Sequence, residues 1–169
     1  YDAIALEDIY LPFKPKRRTR AEIAKEKGLE PLAKMLMKQN DLDVCSVANR
    51  FVSNEIESED DALKGARDIM AEWISESTNA RNAVRNIFSR EAIISSKVIK
   101  GKEEEGNKYR DYFDLSEPLR RCSSHRYLAM RRGESEGFLK VSISPEDDHC
   151  IERLNRIFVR TDNDCSKQV

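Results

Sequence analysis

Glycine and proline are scarce in this chain, with 6 and 5 residues among 169. So few turn-forming residues argue against a loop-rich β fold and against a long disordered tract. Long apolar runs are also missing, since no stretch approaches the roughly 20 residues that a membrane helix needs. The first residues have neither the basic start nor the apolar run of a signal peptide. We therefore expect a cytoplasmic globular protein that does not contact a membrane.

Cysteine and histidine are equally sparse, with 4 and 2 residues. No Cys-x-x-Cys pair is present, so the sequence contains no zinc motif. His149 beside Cys150 is the one suggestive neighbour pair, and a metal there would need ligands from elsewhere in the chain. We expect reduced thiols, partly buried as small hydrophobic groups, and no metal or other cofactor.

The motifs of common catalytic sites are missing as well. The sequence has no Gly-x-x-x-x-Gly-Lys phosphate loop, no Gly-x-Ser-x-Gly turn and no His-Glu-x-x-His pair. Ser124 and His125 stand near Asp111 and Asp114 in sequence, but proximity along the chain is not the geometry of a catalytic triad. The chain is therefore predicted not to be an enzyme.

Charge is abundant and segregated, although the net charge is only −1. Residues 14–27 are strongly basic, residues 41–61 are acidic, and residues 117–132 are basic again. Blocks of this kind indicate separate charged faces or intramolecular pairing. The average charge does not identify a nucleic-acid-binding protein, but the local charge permits one.

Helix signals fill the first half of the chain. Residues 3–11 are expected to be the end of a helix that Pro12 and Pro15 stop, because proline lacks the N–H donor and clashes with the preceding turn. Thr19 and Glu22 form a capping box, which predicts a second helix, and Pro31 fits the first turn of a third. Residues 44–52 form a short helix candidate. Ser58 should cap the clearest helix, whose buried stripe is Ala62, Ala66, Ile69, Met70 and Trp73.

Further helices are expected in the second half. Thr78 should cap a helix with Val84, Ile87 and Phe88 on its inner face, and Ser123 or Ser124 should cap another that ends at Gly133. A last helix should begin after Ser144. Its inward-facing residues are expected to be Ile151, Leu154 and Phe158.

One strand is clearly indicated. Leu139, Val141 and Ile143 alternate with polar residues, the pattern of a half-buried strand. Residues 93–99 fit either a strand or an extension of the preceding helix. Because a strand needs a partner, either residues 98–99 pair with it or the partner lies outside this chain. The predicted fold is mainly α, a multi-helix domain with one or two short β-strands.

The basic segment after Pro12 is the strongest candidate for a functional surface. Lysines and arginines on an extended segment can contact phosphates, and Tyr10 and Phe13 beside it can stack on bases. The alternative is that these charges are solvated or pair with the acidic helix. The predicted nucleic-acid-binding residues are Lys14, Lys16, Arg17, Arg18, Arg20, Arg126, Arg131 and Arg132. Tyr112 and Phe113 fit either a contact surface or core anchors, and we favour core anchors.

Several segments together resemble a known family. They are LEDIYLPFKPKRRT at 6–19, AKEKGLEPLA at 24–33, KGKEEEG at 100–106, YRDYF at 109–113 and SHR at 124–126. In this order they resemble the helical region of Tex proteins, bacterial transcription accessory proteins. The resemblance implies a helical region over 1–92, and over 93–169 a helical region with short strands that continues into a RuvC-like domain absent from this chain.

The resemblance also implies a longer parent protein, of which this chain would be a fragment. The parent would carry helix-hairpin-helix modules and a C-terminal RNA-binding domain, and would bind RNA or DNA in transcription. RNA polymerase or elongation factors are the implied protein partners. Two roles then remain open for this chain: a scaffold with a phosphate-contacting basic linker, or a purely structural module. The second predicts an exposed apolar patch where other domains or the transcription machinery would bind.

Overall fold

The fold is mainly α with a small antiparallel sheet, as predicted. The computed structural model describes residues 3–14 and 18–169. Their helices are α1 Ala3–Tyr10, α2 Arg20–Glu26, α3 Glu30–Met37, α4 Val44–Asn49, α5 Glu59–Glu76, α6 Thr78–Glu91, α7 Ser124–Ser135 and α8 Asp147–Phe158. Their strands are β1 Ile93–Val98, β2 Asp114–Pro118 and β3 Leu139–Ser144. Within these ranges no helix combines the length and apolar character needed to cross a membrane.

The described residues group into two compact units. The first contains the chain up to Ala83 together with Arg153–Val169, and the second is Val84–Glu152. This grouping reflects contacts within the chain. The division into regions 1–92 and 93–169, which came from the family resemblance, stays a prediction.

The first unit is built around α5, against which α2, α3 and α4 pack. The predicted caps are confirmed: Thr19 Oγ1 accepts from the Glu22 amide at 3.1 Å, and Ser58 Oγ accepts from the Asp61 amide at 3.2 Å. Four predicted residues of the α5 stripe are buried, and Trp73 is partly buried against the same core. Helical spacing therefore identified the face of α5 that forms the core.

The end of the chain is attached to the first unit by Gln39, a buried polar residue with a positive φ of 55°. Its side-chain amide donates to the Phe158 carbonyl at 2.6 Å and accepts from the Arg160 amide at 2.8 Å. Asn163 donates to the Gln39 carbonyl at 2.8 Å. These hydrogen bonds satisfy the backbone groups of Phe158, Arg160 and Gln39, which lie at or beyond helix ends. No local sequence signal indicated them, because the partners lie about 120 residues apart.

The second unit contains a three-stranded sheet in the order β2-β1-β3. The ambiguous segment is strand β1, and its partner lies within the chain, since Val98 pairs with Leu139 and Ile94 with Ile143. Strand β2 was not predicted. Its sequence, DLSEP, has few strand-forming residues, and it pairs with β1 as an edge strand, where proline is tolerated.

Close packing against β3 explains a glycine in the last turn of α7. A Cβ at Gly133 would lie 2.6 Å from Leu139 Cδ1 and 3.2 Å from Tyr109 Cγ. Leu139 and Tyr109 are buried, as is Met130 one turn earlier in α7. Tyr109, rather than Tyr112 or Phe113, is therefore the buried aromatic anchor of its segment.

Three helix predictions differ from the structure in detail. Ser77, not Thr78, accepts the capping bond from the Ala80 amide, because Thr78 already belongs to the helix. Helix α7 continues past Gly133, since that glycine serves close packing rather than termination. Phe88 and Ile151 were expected to face inward but are exposed. Helical spacing defines an apolar face but does not supply the surface that would cover it.

Candidate nucleic-acid interface

Helix α1 is held to the first unit by a buried acid. Asp8 is 4% exposed, and its Oδ1 lies 2.6 Å from Arg81 Nε in α6. An ion pair with one buried partner fixes orientation, because leaving that carboxylate unpaired would be costly. The face of α1 that carries Asp8 is therefore the inner face.

Four large residues of α1 and the turn after it are exposed. The exposed fractions are 61% for Leu6, 68% for Ile9, 48% for Tyr10 and 79% for Phe13. Their spacing of three and four residues places them on one helical face. We name these four residues the α1 stripe. It is an apolar surface that ends in two aromatic rings.

The basic segment begins directly after the α1 stripe. Lys14 is exposed and has an extended backbone, with φ −65° and ψ 127°. Lys16 and Arg17 lie outside the described residues. The structure therefore places one predicted cation, Lys14, beside Phe13, and the chain is described again from Arg18.

Arg18 and Arg20 both have acidic neighbours. Arg18 Nη2 lies 2.6 Å from Glu26 Oε2, and Arg20 Nε lies 3.8 Å from Asp68 Oδ1 in α5. This is the intramolecular pairing weighed as the alternative to phosphate contact. Both guanidinium groups are well exposed, at 68% and 83%, so water screens these pairs and they contribute little to stability. A phosphate can therefore replace either carboxylate at small cost.

A groove of about 430 Å³ lies beside Arg20 in the first unit. Its walls carry cations and carboxylates together: Arg20, Lys27, Lys64, Glu55, Glu57, Asp61 and Asp68. Mixed charge of this kind does not concentrate a polyanion, which is drawn to surfaces of one sign. Lys14, which is exposed, does not line this groove.

The other predicted cations belong to the second unit. Arg126 Nη1 lies 2.7 Å from Glu117 Oε2, and Arg131 pairs with Glu134. Arg132 is exposed on the same helix. The predicted cations at 14–20 thus belong to the first unit and the three arginines at 126–132 to the second. Those three arginines all lie on helix α7.

The His149 and Cys150 pair forms no metal site with other described residues. His149 Nδ1 lies 2.6 Å from Glu91 Oε2, and this hydrogen bond raises the pKa of His149 above its ordinary value. Burial raises the pKa of the Cys150 thiol, which keeps it protonated. In residues 3–14 and 18–169, no three His, Cys, Asp or Glu side chains are arranged to hold a metal ion. The expected absence of cofactors stays a prediction.

The exposure of Leu6 and Ile9 was not predicted from the sequence. Their spacing with Tyr10 and Phe13 was visible, but such a stripe usually marks a helix face that packs into the core. The charge of Asp8 was the sequence feature that argued against a buried stripe. One helix face cannot hold both the ion pair of Asp8 and the apolar stripe, so if Asp8 faces inward the stripe faces outward.

Comparisons with known proteins agree with the resemblance found in the sequence. Residues 39–167 match the family described as Tex central region-like. Transcriptional accessory protein Tex of Neisseria gonorrhoeae is 44% identical over 144 residues, which are 85% of this chain and 19% of that protein. Protein tex of Bordetella pertussis is 43% identical over 157 residues, which are 92% of this chain and 20% of that protein.

A more distant similarity reaches a eukaryotic protein. S1 RNA-binding domain-containing protein 1 of Pongo abelii is 30% identical over 152 residues, which are 84% of this chain and 15% of that protein. This chain spans about one fifth of the length of the bacterial relatives. The match covers most of the chain and includes both structural units, so the chain belongs to the Tex family of transcription accessory proteins.

Proposed function

We propose that this chain contributes a contact surface for single-stranded nucleic acid to a cytoplasmic transcription accessory protein. Tyr10 and Phe13 stack on bases, and Lys14, Lys16, Arg17, Arg18 and Arg20 contact the adjoining phosphates. The observation that carries the proposal is the exposure of two aromatic rings immediately before the basic segment, at 48% and 79%.

The energetics favour a single strand over a duplex. An exposed ring that stacks on an unpaired base contributes about 1–3 kcal/mol per base, while the bases of a duplex already stack on one another. Lysine and arginine contacts add affinity by releasing counterions, which makes that part of the binding salt-dependent. The basic segment alone would bind any polyanion, whereas the aromatic pair selects unpaired bases.

Arg126, Arg131 and Arg132 are proposed as auxiliary phosphate contacts. The Arg126 and Arg131 side chains are 46% and 53% exposed in their pairs with Glu117 and Glu134, so both can reach a phosphate. The relative from Pongo abelii is named for an RNA-binding domain, which makes RNA the first ligand to test.

The decisive experiment measures fluorescence anisotropy of labelled single- and double-stranded RNA and DNA with this chain, at about 50 and 200 mM salt. We expect single strands to bind more tightly than duplexes, with affinity that falls steeply with salt. Phe13→Ala should weaken binding by about fivefold or more, since one stacking contact is lost. Leu6→Ala is the matched control, because Leu6 is exposed on the same stripe but has no ring.

Charge reversal tests the basic segment. Lys16→Glu/Arg17→Glu/Arg18→Glu should abolish binding and flatten the dependence on salt. Lys34→Glu/Lys38→Glu/Lys100→Glu changes the net charge equally at exposed positions elsewhere and should bind nearly as the wild type does. Equal losses in both triple variants, or equal affinity of Phe13→Ala and wild type, would contradict the proposed surface.

A protein-interaction role is the second candidate, and Leu6 and Ile9 favour it. Stacking on bases does not require these two aliphatic side chains, yet they are exposed at 61% and 68%. In this role the α1 stripe packs against another domain of the parent protein or against the transcription machinery, such as RNA polymerase. Wild-type chain that binds no oligonucleotide at low salt, but binds the separately expressed remainder of the parent through Leu6 and Ile9, would establish this alternative.

A further inference from the structure

Strand β3 has a free edge in the described sheet, because β1 pairs with it on one side only. The Ile99 amide donates to the Phe138 carbonyl at 2.9 Å, so these two residues form a hydrogen-bonded pair. In an antiparallel ladder, hydrogen-bonded and non-hydrogen-bonded pairs alternate along the two strands. With Ile94 opposite Ile143 and Ser96 opposite Val141, the backbone groups of Val141 and Ile143 point away from β1. The Val141 amide donates to Glu134 Oε1 at 3.3 Å, and the other groups face the side on which another strand can pair.

An apolar groove of about 400 Å³ adjoins this edge within the second unit. It is lined by Leu119, Cys122, Ser124, Tyr127, Leu128 and Ile143. Leu128 is 65% exposed, and Tyr127 and Ile143 are each 36% exposed. Ile143 is the one residue that belongs to both strand β3 and the groove, so the two features meet at this residue. We name the strand edge and the groove together the β3 groove.

The surroundings of the β3 groove are positively charged. Arg121 is exposed directly before Cys122, and Arg131 follows Tyr127 and Leu128 by about one helical turn, on the same face of α7. Residues 117–134 contain five arginines and two glutamates, Glu117 and Glu134, which pair with Arg126 and Arg131, so the net charge of this segment is positive. A ligand that places an apolar side chain in the groove therefore meets cations on either side.

We propose that the β3 groove binds an extended, acidic peptide segment of a protein partner. The segment adds a strand to β3, places one aliphatic side chain against Leu128 and Ile143, and directs carboxylates toward Arg121 and Arg131. Strand addition gives affinity through main-chain hydrogen bonds and specificity through pockets for alternate side chains. A nucleic acid would use the arginines but has no peptide groups to pair with the strand edge.

Glu134 occupies part of this edge in the unbound chain. Its Oε1 accepts from the Val141 amide at 3.3 Å, and its other oxygen pairs with Arg131. A carbonyl of the added strand would take the place of Oε1. Removing the Glu134 carboxylate should therefore strengthen peptide binding, since nothing must be displaced from the amide.

The test uses a fluorescein-labelled peptide of about ten residues in which isoleucine alternates with glutamate, the pattern of a half-buried strand. Its anisotropy is followed as the 169-residue chain is added. We expect a dissociation constant in the micromolar range, typical of a short peptide on a strand edge. A peptide with lysine in place of glutamate, and one with N-methylated alternate amides, should each bind at least about tenfold more weakly.

Variants locate the site. Leu128→Glu should reduce peptide affinity about tenfold, while Ile151→Glu, at an exposed aliphatic residue outside the groove, should not. Glu134→Ala should increase affinity about threefold, and Glu136→Ala, with the same change of charge, should increase it less. Circular dichroism of each variant checks that the helices are retained.

Three outcomes would overturn the proposal. They are no binding of the acidic peptide up to the solubility of the chain, equal binding of the N-methylated peptide, and equal losses in Leu128→Glu and Ile151→Glu. If instead Leu128→Glu weakens binding of oligouridylate and leaves the peptide unaffected, the occupant of the groove is a nucleic acid and the peptide assignment is wrong. None of these results depends on Phe13 or the basic segment, so the proposed function is tested separately.

Discussion

At the scale of single residues, this chain fixes its helices by ionic contacts that differ greatly in burial. Asp8 is almost fully buried against Arg81, whereas the Arg18 and Glu26 side chains are exposed. The roles of the two pairs differ because water screens an exposed pair, so its two side chains can separate and form other contacts at little cost. The buried pair positions α1, and the exposed pair leaves Arg18 available to a phosphate.

His149 gives a pH dependence that can be tested. Its hydrogen bond to Glu91 Oε2, followed by the charge of Glu91, raises the pKa of His149 in the folded chain above the ordinary value of 6.5. A raised pKa means that the folded state binds the proton more tightly than the unfolded state does. The stabilisation is therefore complete below pH 6.5 and is lost as the pH rises through the pKa of the folded chain.

We expect Glu91→Gln to lower the pKa of His149 toward 6.5, as measured by NMR titration of the imidazole ring. The difference in unfolding free energy between wild type and Glu91→Gln should be largest in mildly acidic solution and should shrink as the pH rises above the pKa of His149. Glu152→Gln, one turn away on α8 and only a minor cause of the shift, serves as the control. An unchanged imidazole titration in Glu91→Gln would show that the contact is absent in solution.

At the scale of elements, side-chain caps mark the starts of α2, α4 and α5 in the first unit. The Ser58 hydroxyl accepts from the Asp61 amide and donates to the Asp61 carboxylate at 2.8 Å. Both hydrogen bonds stabilise the first turn of α5. Helix α5 has 18 residues and supplies much of the core, so weakening its start affects the whole first unit.

Replacing this cap has a predictable cost. Ser58→Ala should lower the free energy of unfolding by about 1 kcal/mol, since it leaves an amide of the first turn without its acceptor. Chemical denaturation followed by circular dichroism measures the change. Ser58→Asn should retain most of the stability, because asparagine caps helices nearly as well as serine. Equal losses in the two variants would mean that the hydroxyl contributes through something other than capping.

At the scale of the whole molecule, the four free thiols differ in exposure and can report how the chain opens. Cys45 is exposed, whereas Cys165 is 1% exposed and packs in the core of the first unit. Burial also raises the pKa of the Cys165 thiol, so little of the reactive thiolate is present. Modification of Cys165 therefore requires the first unit to open.

Pulsed maleimide labelling with mass spectrometry should modify Cys45 at the rate of an unfolded peptide. Cys165 should react at least about a hundredfold more slowly, because an opening step must come first. In urea above the unfolding midpoint, both thiols should react at similar rates. Similar rates in native buffer would contradict the buried position of Cys165 and the packing of the last residues on the first unit.

The sequence by itself determined the helical class, the main caps and the buried stripe of α5. These features depend on neighbouring residues: a hydroxyl three residues before an amide, or apolar side chains repeated at the period of a helix. Thr19, Ser58 and Ile69 were assigned correctly because their signals are local. The family resemblance was also readable from short segments, and comparisons over most of the chain confirm it.

Only the tertiary structure decided which apolar faces are covered and which charges are paired. Strand β2 forms because β1 offers it partners, although its own residues favour a strand weakly. The exposure of Phe88 and the α1 stripe, the pairing of Arg20 with Asp68 and the β3 groove all depend on residues distant in sequence. Periodicity gives the direction in which a side chain points, while burial and ion pairing depend on what the rest of the chain places there.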